Sequence, residues 1–410
     1  MIATPVRTPC RHRGLVAVQV LVTLVVLLGC AALSVDVGYI YNSRGEMQGA
    51  VDASALAGSS ALRHGHGLAK NRAIEYAANN VVAGADLASG ELVITIGNWS
   101  GLSATFVPAS ESDTVTANAV RVVGERSGVP LFFAGILGVY STTLNKGATA
   151  IQGGGHCLGI WGMEGITGSG DVTTDSYDLR LGGYNAGNIH ANGDICSCAD
   201  IRLGGNTLIQ GDTIYGEGYG LTLVGSSNEI WGVVAEQDCN FTPPTIDMPG
   251  AAADNDNDTI TLTDDGTDPL NPAGRLFLTG NDNLTLAPGK YYFTSVRIVS
   301  LATLTITGPT EIYVSGTAYF GGGGIINPTG IPGNLKVYLT GATATFSGTS
   351  DFYGAIIAPD TDITFLGDSA FYGVLIGKTL DFRGSAIIHV EESLVADLYG
   401  LESVAPVLVE

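Results

Sequence analysis

The run from Leu15 to Val35 contains no Asp, Glu, Lys or Arg, and at about 1.5 Å per helical residue it spans roughly the 30 Å of a hydrocarbon core. Arg7, Arg11 and Arg13 precede it and Asp36 is the first acidic residue after it. This asymmetry places residues 1–13 on the cytoplasmic side and everything after Asp36 outside the inner membrane. Helical spacing continues past the apolar run. Val37, Ile40, Tyr41, Met47, Val51, Ala55 and Leu56 fall three, four or seven residues apart, whereas Arg44, Glu46 and Gln48 point elsewhere. One helix over residues 14–62 is expected, with Ala and Gly along its seam permitting close approach either by the chain's own following domain or by another helix. Leu27-Leu28-Gly29-Cys30 also fits a lipoprotein signal, but the apolar pattern runs on through Ala31, Leu33 and Val35, which favours a retained anchor. Gly65 and Gly67 interrupt the helix, and Leu68 to Val82 offers a second, with Ala73, Ile74, Ala77 and Ala78 inward. His64 and His66 read as residues of that break.

Beyond the anchor the chain changes character. It holds 58 Gly, 4 Met and only 14% charged residues in 410, which describes strands and tight corners rather than helices. Residues 1–152 hold 10 Lys and Arg against 9 Asp and Glu, while residues 153–410 hold 8 against 30. So acidic a surface repels phosphate backbones and excludes nucleic acid as a partner. Cys10 and Cys30 flank or occupy the apolar run. Cys157, Cys196, Cys198 and Cys239 lie in the exported part and allow up to two disulfides in three connectivities. Cys196-Ser197-Cys198 is spaced too closely for a CxxC zinc or redox motif.

Residues 91–151 shift to an alternating period. Leu92–Ile96, Ala104–Phe106, Ala119–Val123 and Thr142–Ile151 read as strands, and Val129–Leu137 as a short buried helix. Arg13-Gly14 before the apolar run, Val35-Asp36-Val37-Gly38 at its end and Gln48-Gly-Ala-Val-Asp-Ala-Ser-Ala-Leu-Ala-Gly58, with Ile96-Gly-Asn-Trp99, Asn118-Ala-Val-Arg-Val122 and Val129-Pro-Leu-Phe-Phe133, together resemble the TadG-like proteins of tight-adherence (Flp) pilus-assembly systems. The resemblance covers residues 13–152. It implies an inner-membrane-anchored, pilin-like envelope protein associated with pilus biogenesis. Prepilins of that kind are cleaved after a Gly that is followed five residues later by Glu. Here Gly14 is followed at that offset by Gln19, which supplies no carboxylate.

The C-terminal part repeats. Thr345-Phe-Ser-Gly348 returns as Thr364-Phe-Leu-Gly367 and Phe352-Tyr-Gly354 as Phe371-Tyr-Gly373, both 19 residues on, and Asp381-Phe-Arg-Gly384 follows after 17. Leu284-Thr-Leu and Leu304-Thr-Ile are 20 apart, as are Ile201-Arg-Leu and Leu221-Thr-Leu, and Leu179-Arg-Leu-Gly-Gly183 precedes Ile201-Arg-Leu-Gly-Gly205 by 22. Short strands at such a period, divided by Gly, Asn and Asp corners, are the pattern of a parallel β-solenoid. The block 344–394 also resembles Gly-rich β-solenoid modules of bacterial surface proteins, which implies an architecture and no catalytic residues. The Pro-rich, acidic segment 241–274 reads as an exposed excursion between two stacks of coils, and 321–333 as a second loop.

Candidate chemistry is sparse. Asp254-Asn-Asp256-Asn-Asp258 alternates oxygen ligands, but Thr259 stands where a calcium loop needs Gly, and Asp265 rather than Glu holds the twelfth place. Asp351, Asp360, Asp362, Asp368 and Asp381 lie on the most regular coils, where carboxylates could converge as in a polysaccharide-cleaving solenoid or simply serve turn corners. His389 reads as a cap or core residue. No catalytic, cofactor-binding or metal-ligating residue is assigned.

The expected fold is mainly β, made of an N-terminal transmembrane helix, a small α+β pilin-like domain and a C-terminal parallel β-solenoid. The expected divisions are 1–13 basic segment, 14–62 helix, 63–152 TadG-like domain, 153–240 first coils, 241–274 insertion, 275–400 second coils and 401–410 tail. The expected partners are the lipid bilayer through the helix and pilus-assembly or surface proteins, with no cofactor and no small-molecule substrate. The resemblance makes the chain a single-pass, non-enzymatic envelope protein of pilus or surface-structure assembly, with its solenoid reaching away from the membrane. A matrix-binding adhesin and a β-helix polysaccharide lyase or hydrolase are the alternatives.

Overall fold

The computed structural model describes residues 13–109, 117–151, 157, 159–263, 266, 268–399 and 406–409. Arg7, Cys10, Arg11 and Asp265 lie outside the described residues. The chain divides into two units: Met1–Ser54, Ala73–Ile94 and Val122–Ala148 form the first, and Ala55–Arg72, Thr95–Arg121 and Thr149–Glu410 the second.

Helix α1 (Arg13–Ser60) is continuous, and its residues up to Ser54 belong to the first unit. Its apolar stretch is bare of protein contact, with Val16, Leu21, Val25 and Leu28 all more than half exposed. Packing begins at Asp36, after which Ser43, Met47, Ala50, Val51 and Ser54 form a buried stripe. The expected seam is therefore rotated. Met47 and Val51 belong to it, but Val37 and Tyr41 stand 59% and 83% exposed. The strand Ala119–Pro130 crosses this stripe through Gly124, where a Cβ would lie 2.9 Å from both Met47 Sδ and Val51 Cγ1, so only Gly allows the approach. Arg126 on the same strand donates to the carbonyls of Val82, Ala85 and Asp86 and pairs with Glu91 at 2.7 Å. That fork holds the short hairpin Val81–Val82/Ala85–Asp86 and, opposed only by burial, keeps the Glu91 carboxyl below its ordinary range. Of the segment expected as a short buried helix, Val129 and Pro130 instead end a strand, with Val129 buried, and residues 131–137 form a largely exposed loop. Only Ala134–Leu137 coils, as one 3₁₀ turn, and Phe132, Ile136 and Leu137 face outward. Apolar composition alone does not distinguish a side chain meant for a protein core from one meant for another apolar phase.

The second unit contains a parallel β-solenoid, built as the repeats dictate. Thr345 pairs with Thr364 and Phe346 with Phe365. Phe352, Tyr353 and Gly354 pair with Phe371, Tyr372 and Gly373, and Phe365 with Phe382. Leu284 pairs with Leu304 and Ile201 with Leu221. Inside, Phe320, Phe346, Phe365 and Phe382 stack at 4.9, 5.2 and 5.5 Å between ring centroids, and Phe352 stacks on Phe371 at 5.1 Å. At the corner beside them Gly373 has φ +143°, and a Cβ there would meet the Gly354 carbonyl oxygen.

The order of coils is not the order of the chain. Along one face, Arg275–Leu278 pairs with Ser295–Ile298, then Ala318–Phe320, Thr343–Phe346, 362–366 and 379–383. There the face continues not into a new coil but into 166–168, near the start of the unit, and on through Ile201–Leu203 to Leu221–Leu223. Residues 379–391 supply two sides of one coil, and 160–162 supply the third, by pairing with 375–377 on one flank and 195–197 on the other. The two expected stacks are thus one stack, stitched at a composite coil.

This stitching corrects three expectations. Leu179-Arg-Leu is a 3₁₀ turn, and the true partner of Ile201–Leu203 is Ile166–Gly168. The excursion 178–193 inserted between coils creates the false spacing. The segment after Cys239 is not an excursion away from the stack but a strap along it, because it must return the chain to the far end. Phe241 stacks on Trp161 at 4.1 Å, the strap carries a short helix of its own, α3 (Met248–Ala253; α2 is the upstream His66–Ala78), with Ala251 buried, and Asn257 bonds the backbone of Tyr292. Within 321–333, Gly324–Ile326 is a strand paired with Thr303–Thr305. In the tail, Val407 and Leu408 pair with Ile151 and Ala150.

Candidate functional site

The candidate carboxylates of the regular coils do not converge. Three of them tie one coil to the next: Asp351 accepts from the Ala370 N–H at 3.0 Å and Asp368 from the Ser385 N–H at 2.9 Å. Asp362 accepts from Thr379 at 2.8 Å, Asp381 is held by Arg383 at 2.6 Å, and Asp360 is exposed. The same device recurs at Asp171, Asp194, Asp200 and Asp212, which accept the N–H groups of Asn206, Asp212, Gly220 and Val233. Aspartate is favoured at these corners because the strands end there and the next coil's N–H lacks a ladder partner. Replacing Asp351 or Asp368 by Ala is expected to cost about 0.5–1.5 kcal/mol each, read as a lower urea midpoint at unchanged slope. The would-be calcium loop is engaged too. Asp256 accepts from Lys290 N–H at 2.8 Å and Asn257 clasps Tyr292. Among the described residues no three His, Cys, Asp or Glu side chains are grouped to hold a metal.

The densest polar cluster lies at the composite coil, and only His389 of it was singled out by sequence. On strands Val172–Tyr177 and Ala386–Glu391, which pair in register, Ile388 and Val390 point into the core while His389 and Asp175 point outward, side by side. Excursion 178–193 folds over them. His190 and Ser176 exchange backbone hydrogen bonds at 2.8 and 3.0 Å, and Asn188 closes the turn onto Asp178 and Gly182. Under this roof His389 Nδ1 bonds Asp175, Tyr184 donates to Asp175 at 2.7 Å, and the Tyr184 and His389 rings lie 4.0 Å apart. Beside them Glu392 Oε1 accepts from Ser176 at 2.8 Å, His190 at 3.0 Å and Asn192 at 2.8 Å. Glu391 accepts from the backbone of Leu179 and Leu394, capping helix α4 (Glu392–Tyr399).

The electrostatics follow from burial and partners. Burial opposes charge on Glu392, yet its hydrogen bonds from His190, Asn192 and Ser176 hold its carboxyl below the usual range. Burial and the bond to Asp175 push the Tyr184 hydroxyl up. Ser176, His190 and Glu392 together suggest a nucleophile triad, but the geometry is wrong for one. Serine and histidine both address the same carboxylate oxygen, so the imidazole does not bond the serine oxygen and cannot take its proton. The cluster is a clasp: it joins the C-terminal strand, the first coil and the excursion through groups that are satisfied only by one another.

The chain thus combines one helix long and apolar enough to cross a bilayer with a stitched β-solenoid. Its N-terminal region matches two Tad-type family models. Residues 14–64 match the family described as "Putative Flp pilus-assembly TadE/G-like", and residues 53–150 match "Putative Tad-like Flp pilus-assembly". These matches bear out the TadG-like resemblance of residues 13–152. Residues 226–396 match a "Domain of unknown function (DUF7305)". No curated protein matches the chain. Among solved structures, the competence-associated pilin ComZ from Thermus thermophilus aligns at 10% identity over 74% of this chain and 83% of that one, with a TM-score of 0.26, too low for structural equivalence.

Proposed function

We propose that the protein is a single-pass envelope protein that serves assembly or anchoring of a Tad-type pilus or related surface structure without catalysing a reaction. The observation that carries this reading is the pair of Tad-type matches on the anchor helix and the residues after it. In this reading residues 14–62 hold the protein in the inner membrane, residues 63–152 form the Tad-type domain, and the acidic coils offer the surface for a protein partner outside the membrane. The orientation, with the N-terminus cytoplasmic, follows from Arg7, Arg11 and Arg13 before the apolar run. The engagement of Asp351, Asp362 and Asp368 in hydrogen bonds between successive coils supports a structural role.

Crosslinking in intact membranes followed by purification of the full chain tests the proposal. Co-recovery of pilus ATPase or platform proteins is the expected result. Normal surface assembly in cells lacking the protein would sink it, and retention of a matrix ligand by the protein in cells without pilus components would favour an adhesin.

A further inference from the structure

The first unit carries a second apolar surface that the helix alone does not explain. Between Ser127 and Asn145 there is no charged residue. Within that stretch Phe132 is 62% exposed, Ile136 85%, Leu137 71% and Tyr140 73%, an arrangement that wastes apolar surface in water. The loop is neither loose nor remote from the anchor. Leu131 N–H bonds the Tyr140 carbonyl at 3.0 Å across its neck. The Asp36 carboxylate, 2% exposed, accepts the N–H groups of Phe132, Phe133 and Ala134 at 2.8, 2.9 and 2.6 Å. Tyr39 packs edge-on against Phe132 at 5.1 Å. Asp36 is the first charged residue after the apolar run, so the loop is pinned to the helix at the depth where the helix leaves hydrocarbon.

We propose that the loop Phe132–Tyr140, with Val37 and Tyr41 of α1, rests in the interfacial layer of the same bilayer that α1 crosses. Phenyl and phenol rings beside aliphatic tips are the chemistry that this layer takes up, and Asp36 supplies the backbone's polar needs from the protein side. A helix alone leaves the unit free to swivel about one axis; a second contact fixes its azimuth on the membrane. The occupant is lipid because the patch continues the exposed apolar surface of α1, and the one charge between them, Asp36, is buried against the loop's own N–H groups.

This inference rests on α1 being the membrane anchor, and the test separates the two. Full-length protein is reconstituted in phosphatidylcholine–phosphatidylglycerol vesicles containing lipids brominated along their chains, with an environment-sensitive fluorophore on one cysteine. The sites are native Cys30 in C10S, Ile136→Cys in C10S/C30S, and Val93→Cys in C10S/C30S. Val93 follows Leu92, which lies with Met47 around Gly124, eleven residues or about 16 Å along the helix from Asp36. Quenching at Cys30 tests the anchor. The expected result is strong quenching at Cys30 and at Ile136→Cys, several-fold above Val93→Cys. Quenching at Cys30 with Ile136→Cys no more quenched than Val93→Cys would overturn the loop contact while leaving the anchor. Concentration-dependent crosslinking between Ile136→Cys copies without lipid quenching would instead assign the patch to a second copy.

Discussion

Glu392→Ala is expected to destabilise the solenoid by about 3–5 kcal/mol, because it removes one charged partner from a buried, mutually satisfied set. Ser176, His190 and Asn192 would lose their common acceptor while remaining roofed by excursion 178–193. Denaturant unfolding of the full chain measures the loss. Hydrogen exchange should localise it to Ala386–Glu391 and Val172–Tyr177, the two strands the clasp joins. An E392A protein with unchanged midpoint would show that the stitching is held by the core alone, through Ile388 and Val390.

The same group gives a pH signature with a definite sign. Its folded-state carboxyl lies below the ordinary range, so its contribution is fully present above the unfolded value near about 4.3 and is lost as pH falls through the folded value. Glu392→Gln keeps an acceptor oxygen and removes the titration. The stability difference between the natural chain and E392Q should therefore shrink as pH falls below about 4. The difference matters because the many other carboxylates cancel in it. A gap that widened as pH fell below about 4 would contradict the assigned direction.

What the sequence revealed and what it hid divide along contact distance. Registers such as Phe352 on Phe371 and Leu284 on Leu304 were legible because partners one coil apart repeat the same side chains at a near-constant spacing. The composite coil was not, because Ile160 and Leu375 share no motif and meet only after the chain has run to one end of the stack and returned by the strap. Inserting 178–193 made Leu179-Arg-Leu resemble a coil it does not join. The clasp was mostly hidden for the same reason: Asp175 and His389 look like isolated polar residues until strand pairing sets them side by side. Val129–Leu137 was misplaced for a different reason: its apolar composition was read as burial in a helix, whereas past Pro130 the chain makes only a 3₁₀ turn and leaves Phe132, Ile136 and Leu137 exposed.

The two disulfides should show how far the stitched coil behaves as one cooperative piece. Cys157 pairs with Cys196 and Cys198 with Cys239, across sequence separations of 39 and 41 residues. Loop-closure entropy assigns each about 4 kcal/mol, so reduction is expected to lower the unfolding midpoint sharply. The bonds differ in what they enclose. The first encircles strand Val172–Tyr177 and the excursion that roofs the clasp, while the second fixes the start of the strap where Phe241 covers Trp161. C157S/C196S should therefore couple to E392A, the triple variant losing less than the sum, because a coil already opened has no clasp left to lose. C198S/C239S should add to E392A independently and appear chiefly as new proteolytic cleavage within 241–274. Such bonds persist only in an oxidising compartment, so the chain made in a reducing cytosol should unfold at the midpoint of the reduced protein. If both cysteine pairs combined additively with E392A, the first coil and the C-terminal strand would unfold separately, and the composite coil would be an adjacency rather than a joint.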